Sequence, residues 1–172
     1  MKDLSILGIV LILSGCASIS TSYNFEPEAE FDRYQTFYCL QCQDDYNPNS
    51  PEYDNAENRE LIRKAIEQQL LKRGYIVEKE EPDLLVDFHI VIEEKSDMVG
   101  EAYPMAWQTH DFAYYPIQYD YGTLIVNMVD RNRDQLVWQG TAAKILENPK
   151  NAPKTIGRAI VKLFDQYKYR AN

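Results

Sequence analysis

The chain has 172 residues, 27 acidic against 18 basic, for a formal net charge of −9 and an isoelectric point near 4.7. That balance argues against holding nucleic acid or an anionic membrane surface through a basic face. With 45% hydrophobic and 26% charged residues, the composition is that of a single folded domain with an adequate core, not of a disordered chain.

The N-terminus carries the one strongly apolar run. Residues 4–13, LSILGIVLIL, follow Met1, Lys2 and Asp3 and contain no charge. Crossing a bilayer as a helix takes about 20 apolar residues, so this run is too short to span one. A basic start, a short greasy core and small residues before a cut form the pattern of a secretory leader. The small-residue step here is Leu13-Ser14-Gly15-Cys16, which resembles the lipobox of bacterial lipoproteins. That resemblance implies cleavage before Cys16, a diacylglycerol on its sulfur and, usually, an acylated new amine; two acyl chains anchor a protein stably. Residues 1–15 are therefore expected to be a signal peptide that is removed, residues 16–22 a lipidated N-terminus with a short tether, and residues 23–172 a single α+β domain. Lys2 and Asp3 leave together, so the net charge is unchanged.

ISTSYNF alternates, with Ile19, Thr21, Tyr23 and Phe25 on one side, and predicts a first strand that begins within the tether. TFYCL reads as a second strand, and the turn-rich QDDYNPNSPEYDN separates it from a helix. In that helix Leu61, Ile62, Ala65, Ile66 and Leu70 recur at helical spacing. Asp54 with Glu57 predicts a capping box at its start, Lys72 and Arg73 sit at its negative end, and Gly74 is placed to stop it. YIV is a short strand. From Leu84 the apolar residues Val86, Phe88, Ile90 and Ile92 alternate with Asp87, His89 and Glu93, as in a sheet with one buried and one wet face. GTLIVNMVDRNRDQLVWQGTAA reads as a hairpin, and NAPKTIGRAIVKLFDQY as a final helix capped by Asn151 with Pro153 in its first turn. The sum is an α+β two-layer sandwich: a mostly antiparallel sheet of about six strands with two helices on one face. Leu61, Ile66, Leu84, Val86, Phe88, Trp138, Ile160 and Leu163 are expected between the layers.

The segments YNFEPEAEFDRYQTFY, LLKRGY, EPDLLVDFHI, GTLIVNMVD and LVWQGTA follow one another in an order and spacing similar to those of a family of bacterial envelope lipoproteins, domain of unknown function 4136. The resemblance runs from about Tyr23 to the final helix. It implies a secreted, usually lipidated protein with no established activity, so it transfers no catalytic residues. CLQC after the second strand departs from it. Ala17, not aspartate, follows Cys16, which under enterobacteria-like sorting implies the outer membrane, with the domain facing the periplasm. Inner-membrane retention and surface exposure stay open.

Cys39 and Cys42 form a C-x-x-C without the following histidine that covalent haem attachment would need. Structural zinc takes four ligands, and His89 and His110 are far from the cysteines in the chain. In an oxidising envelope a small disulfide is the better reading. In an extended strand the two Cα atoms would lie about 10 Å apart against a limit near 7 Å, so a bridge requires the chain to turn at Leu40-Gln41. Asp87 and His89 share the wet face and could make a general base, but no G-x-S-x-G, H-E-x-x-H or P-loop accompanies them. No enzyme activity and no cofactor are expected. The segment 98–121 holds Tyr103, Trp107, Tyr114, Tyr115 and further aromatics with Pro104 and Pro116. The prolines argue against one continuous central strand, so it is expected to leave the sheet and partly cover the wet face near His89 and Asp87, with Trp107 free to bind. The sequence thus points to a lipid-anchored envelope protein without catalysis, attached to the membrane through Cys16 and contacting another envelope protein. The alternative is a periplasmic binder of a small ligand or glycan that uses the same aromatic segment.

Overall fold

The computed structural model describes residues 18–40, 48–104 and 110–171, with backbone alone for 101–104 and 110–113. The elements run β1 (Ser20–Phe25), β2 (Thr36–Cys39), α1 (Ala56–Leu71), β3 (Ile76–Val77), β4 (Leu84–Pro104), β5 (His110–Asp130), β6 (Gln135–Leu146) and α2 (Ala152–Phe164). They build one open six-stranded sheet in the order β1-β6-β5-β4-β2-β3. The β1–β6, β6–β5 and β5–β4 pairs are antiparallel, while β2 runs parallel to both β3 and β4. Parallel neighbours need a crossover, and α1 supplies the one between β2 and β3. Asp83 fixes the start of this corner: its Oδ2 accepts from the backbone N–H groups of Gln35 and Thr36 and from the Thr36 hydroxyl, at 2.8–2.9 Å.

Both helices pack on the face of the sheet that carries the apolar half of each strand. Ile62, Ile66 and Leu70 of α1 meet Ile160, Leu163 and Phe164 of α2 over Leu84, Val86, Phe88, Val126, Met128 and Trp138, all buried. The expected interlayer residues are buried with the exception of Leu61, which is half-buried on the flank of α1. Trp138 stands at the centre, edge-on to Tyr167 at 5.3 Å and tilted against Phe164 at 5.9 Å. Its ring lies along β6 over Gly140, where an added Cβ would come within 2.2 Å of the indole and 2.8 Å of Leu163. The glycine of WQG is therefore a packing requirement of the tryptophan two residues before it.

The start of α1 differs from the expected capping box. Asn55 is the cap, its side chain accepting from the Asn58 N–H at 2.9 Å, and Asp54 points inward instead. Its carboxylate takes both Nε and Nη2 of Arg59 at 2.6 and 2.9 Å in a buried, two-pronged ion pair. At the other end Gly74, with φ +91°, makes the left-handed turn that stops the helix. Arg73, just before it, reaches across to the end of α2 and donates to the carbonyls of Phe164 and Tyr167 at 2.5 and 3.3 Å, over the Phe164 ring. The start of α2 also differs: Asn151 makes no side-chain cap bond, and Asn148 caps the preceding turn by accepting from Lys150 N–H.

Candidate contact surface

The largest departure from the sequence reading lies in segment 98–121. Its described residues, 98–104 and 110–121, stay paired strand to strand. β4 and β5 each run 21 residues and pair without interruption from Leu84–Asp130 out to Pro104–His110. The third strand on that side stops early, since β6 ends with Leu146 opposite Asp120, and β2 reaches β4 only as far as Val86. Residues 94–104 and 110–120 therefore form a two-stranded ribbon that projects about 33 Å beyond the three-stranded part at ~3.3 Å per residue.

Pro116 fits because β5 has become an edge strand by this point, paired with Met98 on one side and open on the other; prolines are tolerated in such positions. The signal for a strand was present in YPIQYDY, where Tyr115, Ile117, Tyr119 and Tyr121 alternate with Pro116, Gln118 and Asp120. Along the ribbon these odd-numbered residues share one face with Lys95, Asp97 and Val99. The face is laced diagonally: Tyr119 donates to Asp97 Oδ2 at 2.7 Å, and the Lys95 ammonium stands 4.1 Å from the Tyr121 ring centre. On the opposite face the Tyr114 ring lies across Gly100, whose missing side chain leaves it room. Tyr114 is 66% and Met98 62% exposed, and Tyr115 and Ile117 are also open to solvent.

The expected surface is thus divided. Asp87 and His89 stay on β4 within the sheet, opposite Asn127 and Ile125, about ten rows below Tyr114 and Tyr115. The tyrosines extend along the strand axis and do not fold back over the histidine. Asp87 belongs to a polar row across the outer face: it accepts from Asn127 Nδ2 at 2.8 Å, and Asn127 Oδ1 accepts from Gln139 Nε2 at 2.9 Å. His89, 56% exposed on its side chain, stands 3.7 Å from Asp87 Oδ1. Tyr103 sits on β4 opposite Asp111 by backbone pairing. Trp107, Cys16 and Cys42 lie outside the described residues, so the expected Cys39–Cys42 bridge has only its first half in view. Cys39 itself is buried on β2, where burial first and then the charge of Glu67 push its thiol up to about 12.

Among solved structures the chain is similar to a PDZ domain protein from Parabacteroides distasonis, with a TM-score of 0.59 and 14% identity over 90% of this chain and 37% of that one. This chain thus spans little more than a third of that protein's length, and the likeness is one of fold. A chain of the PelC dodecamer from Paraburkholderia phytofirmans superposes with a TM-score of 0.47 and 7% identity, over 90% of this chain and 100% of that one. No functionally curated protein matches the sequence. The profile of a domain of unknown function, DUF4136, matches residues 21–167, from the second residue of β1 past the end of α2. The chain belongs to the DUF4136 family.

Proposed function

We propose that this protein is a non-catalytic component of the bacterial cell envelope, anchored by lipid on Cys16, that grips another envelope component with the β4–β5 ribbon. The observation that carries this reading is the ribbon itself. A two-stranded hairpin on its own is marginal in water, and this one carries exposed Tyr114, Tyr115, Ile117 and Met98. Tyrosines in such a position offer a large apolar body, a polar tip and little rotamer entropy to lose, which suits a contact surface. Among the described residues the edge of β4 beyond Val86 has no strand beside it, and an open edge of this kind can add a partner's strand. The reading of the anchor rests on the apolar run at 4–13 and on Leu13-Ser14-Gly15-Cys16, and that of the outer membrane on Ala17.

A photo-crosslinking amino acid at Tyr114 in intact cells tests the contact. A discrete protein adduct is expected there and not from the same amino acid at Lys79, on the far side of the sheet's short strands. Absence of an adduct, together with retention of the protein on immobilised envelope glycan, would overturn it in favour of a glycan binder. The anchor is tested separately: Cys16→Ala should leave the leader uncut and abolish labelling by a palmitate analogue.

A further inference from the structure

Where the ribbon leaves the sheet, the middle of β4 and of β5, the end of β6, the residue before β1, the first half of α2 and, from the α1 side, Tyr53 and Ile62 line a half-open cleft of about 280 Å³. Its walls are apolar, among them Ile92, Leu124, Leu146 and Ile156. Three cations stand in its lining: Lys144 from β6, and Lys154 with Arg158, one turn apart on α2. Among the described residues the lining contains one carboxylate, that of Glu147. None of the three cations forms an ion pair among the described residues, although the chain as a whole carries −9.

We infer that this cleft binds a single-chain amphiphile with an anionic head group, its tail between α2 and the sheet and its head among Lys144, Lys154 and Arg158. The apolar walls gain from covering a hydrocarbon tail. Uncompensated cations in an acidic protein favour a carboxylate or phosphate beside them by charge-assisted hydrogen bonds. Size sets the class: the cleft is about twice a cavity of roughly 150 Å³ that accommodates benzene, room for one medium-length chain and not for a two-chain lipid. The proposal uses a different surface from the ribbon and stands without it.

The test uses the full chain in neutral phosphatidylcholine nanodiscs and a diazirine-bearing dodecanoate as the probe. After irradiation, the label should map to β6 and α2 peptides and be displaced by unmodified dodecanoate. Ile92→Trp, which fills the cleft from a half-exposed position, should remove the labelling. Lys154→Glu with Arg158→Glu, both exposed, should weaken it about tenfold while leaving the melting curve unchanged. A diazirine-bearing dodecyltrimethylammonium should label no better than that double variant. Equal labelling by the cationic probe, or labelling that survives Ile92→Trp, would overturn the inference. So would labelling seen only in Cys16→Ala, because the chain's own lipid would then be the occupant.

Discussion

Gly140 shows how one missing side chain can decide a core. The Trp138 ring occupies the space above it, and any Cβ there would meet the indole and Leu163 well inside contact distance. Gly140→Ala should destabilise the domain by about 1–3 kcal/mol through overpacking, read as a lower urea midpoint with an unchanged slope. An unchanged midpoint would mean that the tryptophan has another place to go. The sequence reading found Trp138 in the core but not the reason for the glycine beside it, because that reason is a rotamer. The buried Asp54–Arg59 pair was missed for a related cause. A spacing of five is not a helix-surface pair, and an aspartate just before a helix reads first as a cap.

The elements whose own period is unambiguous were legible: α1, α2, the alternation from Leu84 and the β5–β6 hairpin all stand where their patterns put them. The ribbon was hidden by a correct rule applied in the wrong place. Prolines exclude a central strand, but Pro116 stands on an edge, and only the lengths of β2 and β6 make it one. Because among the described residues no helix packs against the ribbon, it should be separable from the stability of the domain. Changing Met98, Tyr115 and Ile117 together to serine should shift the thermal midpoint by no more than about 2–4 °C, the shift for roughly 1 kcal/mol in a domain of this size, while abolishing the adduct formed by the photo-crosslinking amino acid at position 114. A large loss of stability would mean that these side chains are part of the core. The cleft was illegible for the opposite reason: it is assembled from the middle of β4 and of β5, the end of β6 and the first half of α2, each ordinary by itself.

At the scale of the molecule, buried tyrosines tie together segments far apart in the chain. Tyr75 and Tyr167, just past the ends of α1 and α2, share a hydrogen bond at 2.8 Å, and Tyr34 donates to Asp130 at the start of the β5–β6 turn at 2.9 Å. All three are buried, and burial first of all raises their phenols above the ordinary value of 10.0. Above about pH 10 the unfolded chain releases these protons while the folded chain keeps them. The unfolded state then binds fewer protons, so stability falls as pH rises, by up to about 1.4 kcal/mol per tyrosine per pH unit. Urea midpoints should be level from pH 8 to 9.5 and drop steeply from 10 to 12. A level profile through pH 12 would show that these phenols are open to water.

The direction of β1 has a consequence for how the molecule can stand on a membrane. Ser20 pairs with Ala143, in the row of Thr123 and Val91, so the chain leaves the sheet toward Cys16 at the same end as the ribbon. From Ser20 back to Cys16 a fully stretched chain reaches about 14 Å, whereas the ribbon ends about 43 Å beyond that row. The surplus of about 30 Å matches the thickness of a bilayer's hydrocarbon core. An upright domain with lipid on Cys16 would drive an acidic, two-edged ribbon through the membrane, with edge groups that find no partner in hydrocarbon. If Cys16 carries the proposed lipid, so short a leash would lay the domain on its side, with the ribbon sweeping the headgroup plane like a clock hand and free to meet the proposed partner laterally. A spin label at Tyr114 in reconstituted bilayers should report headgroup depth; a reading in the acyl region, or far out in the water, would rule out this posture.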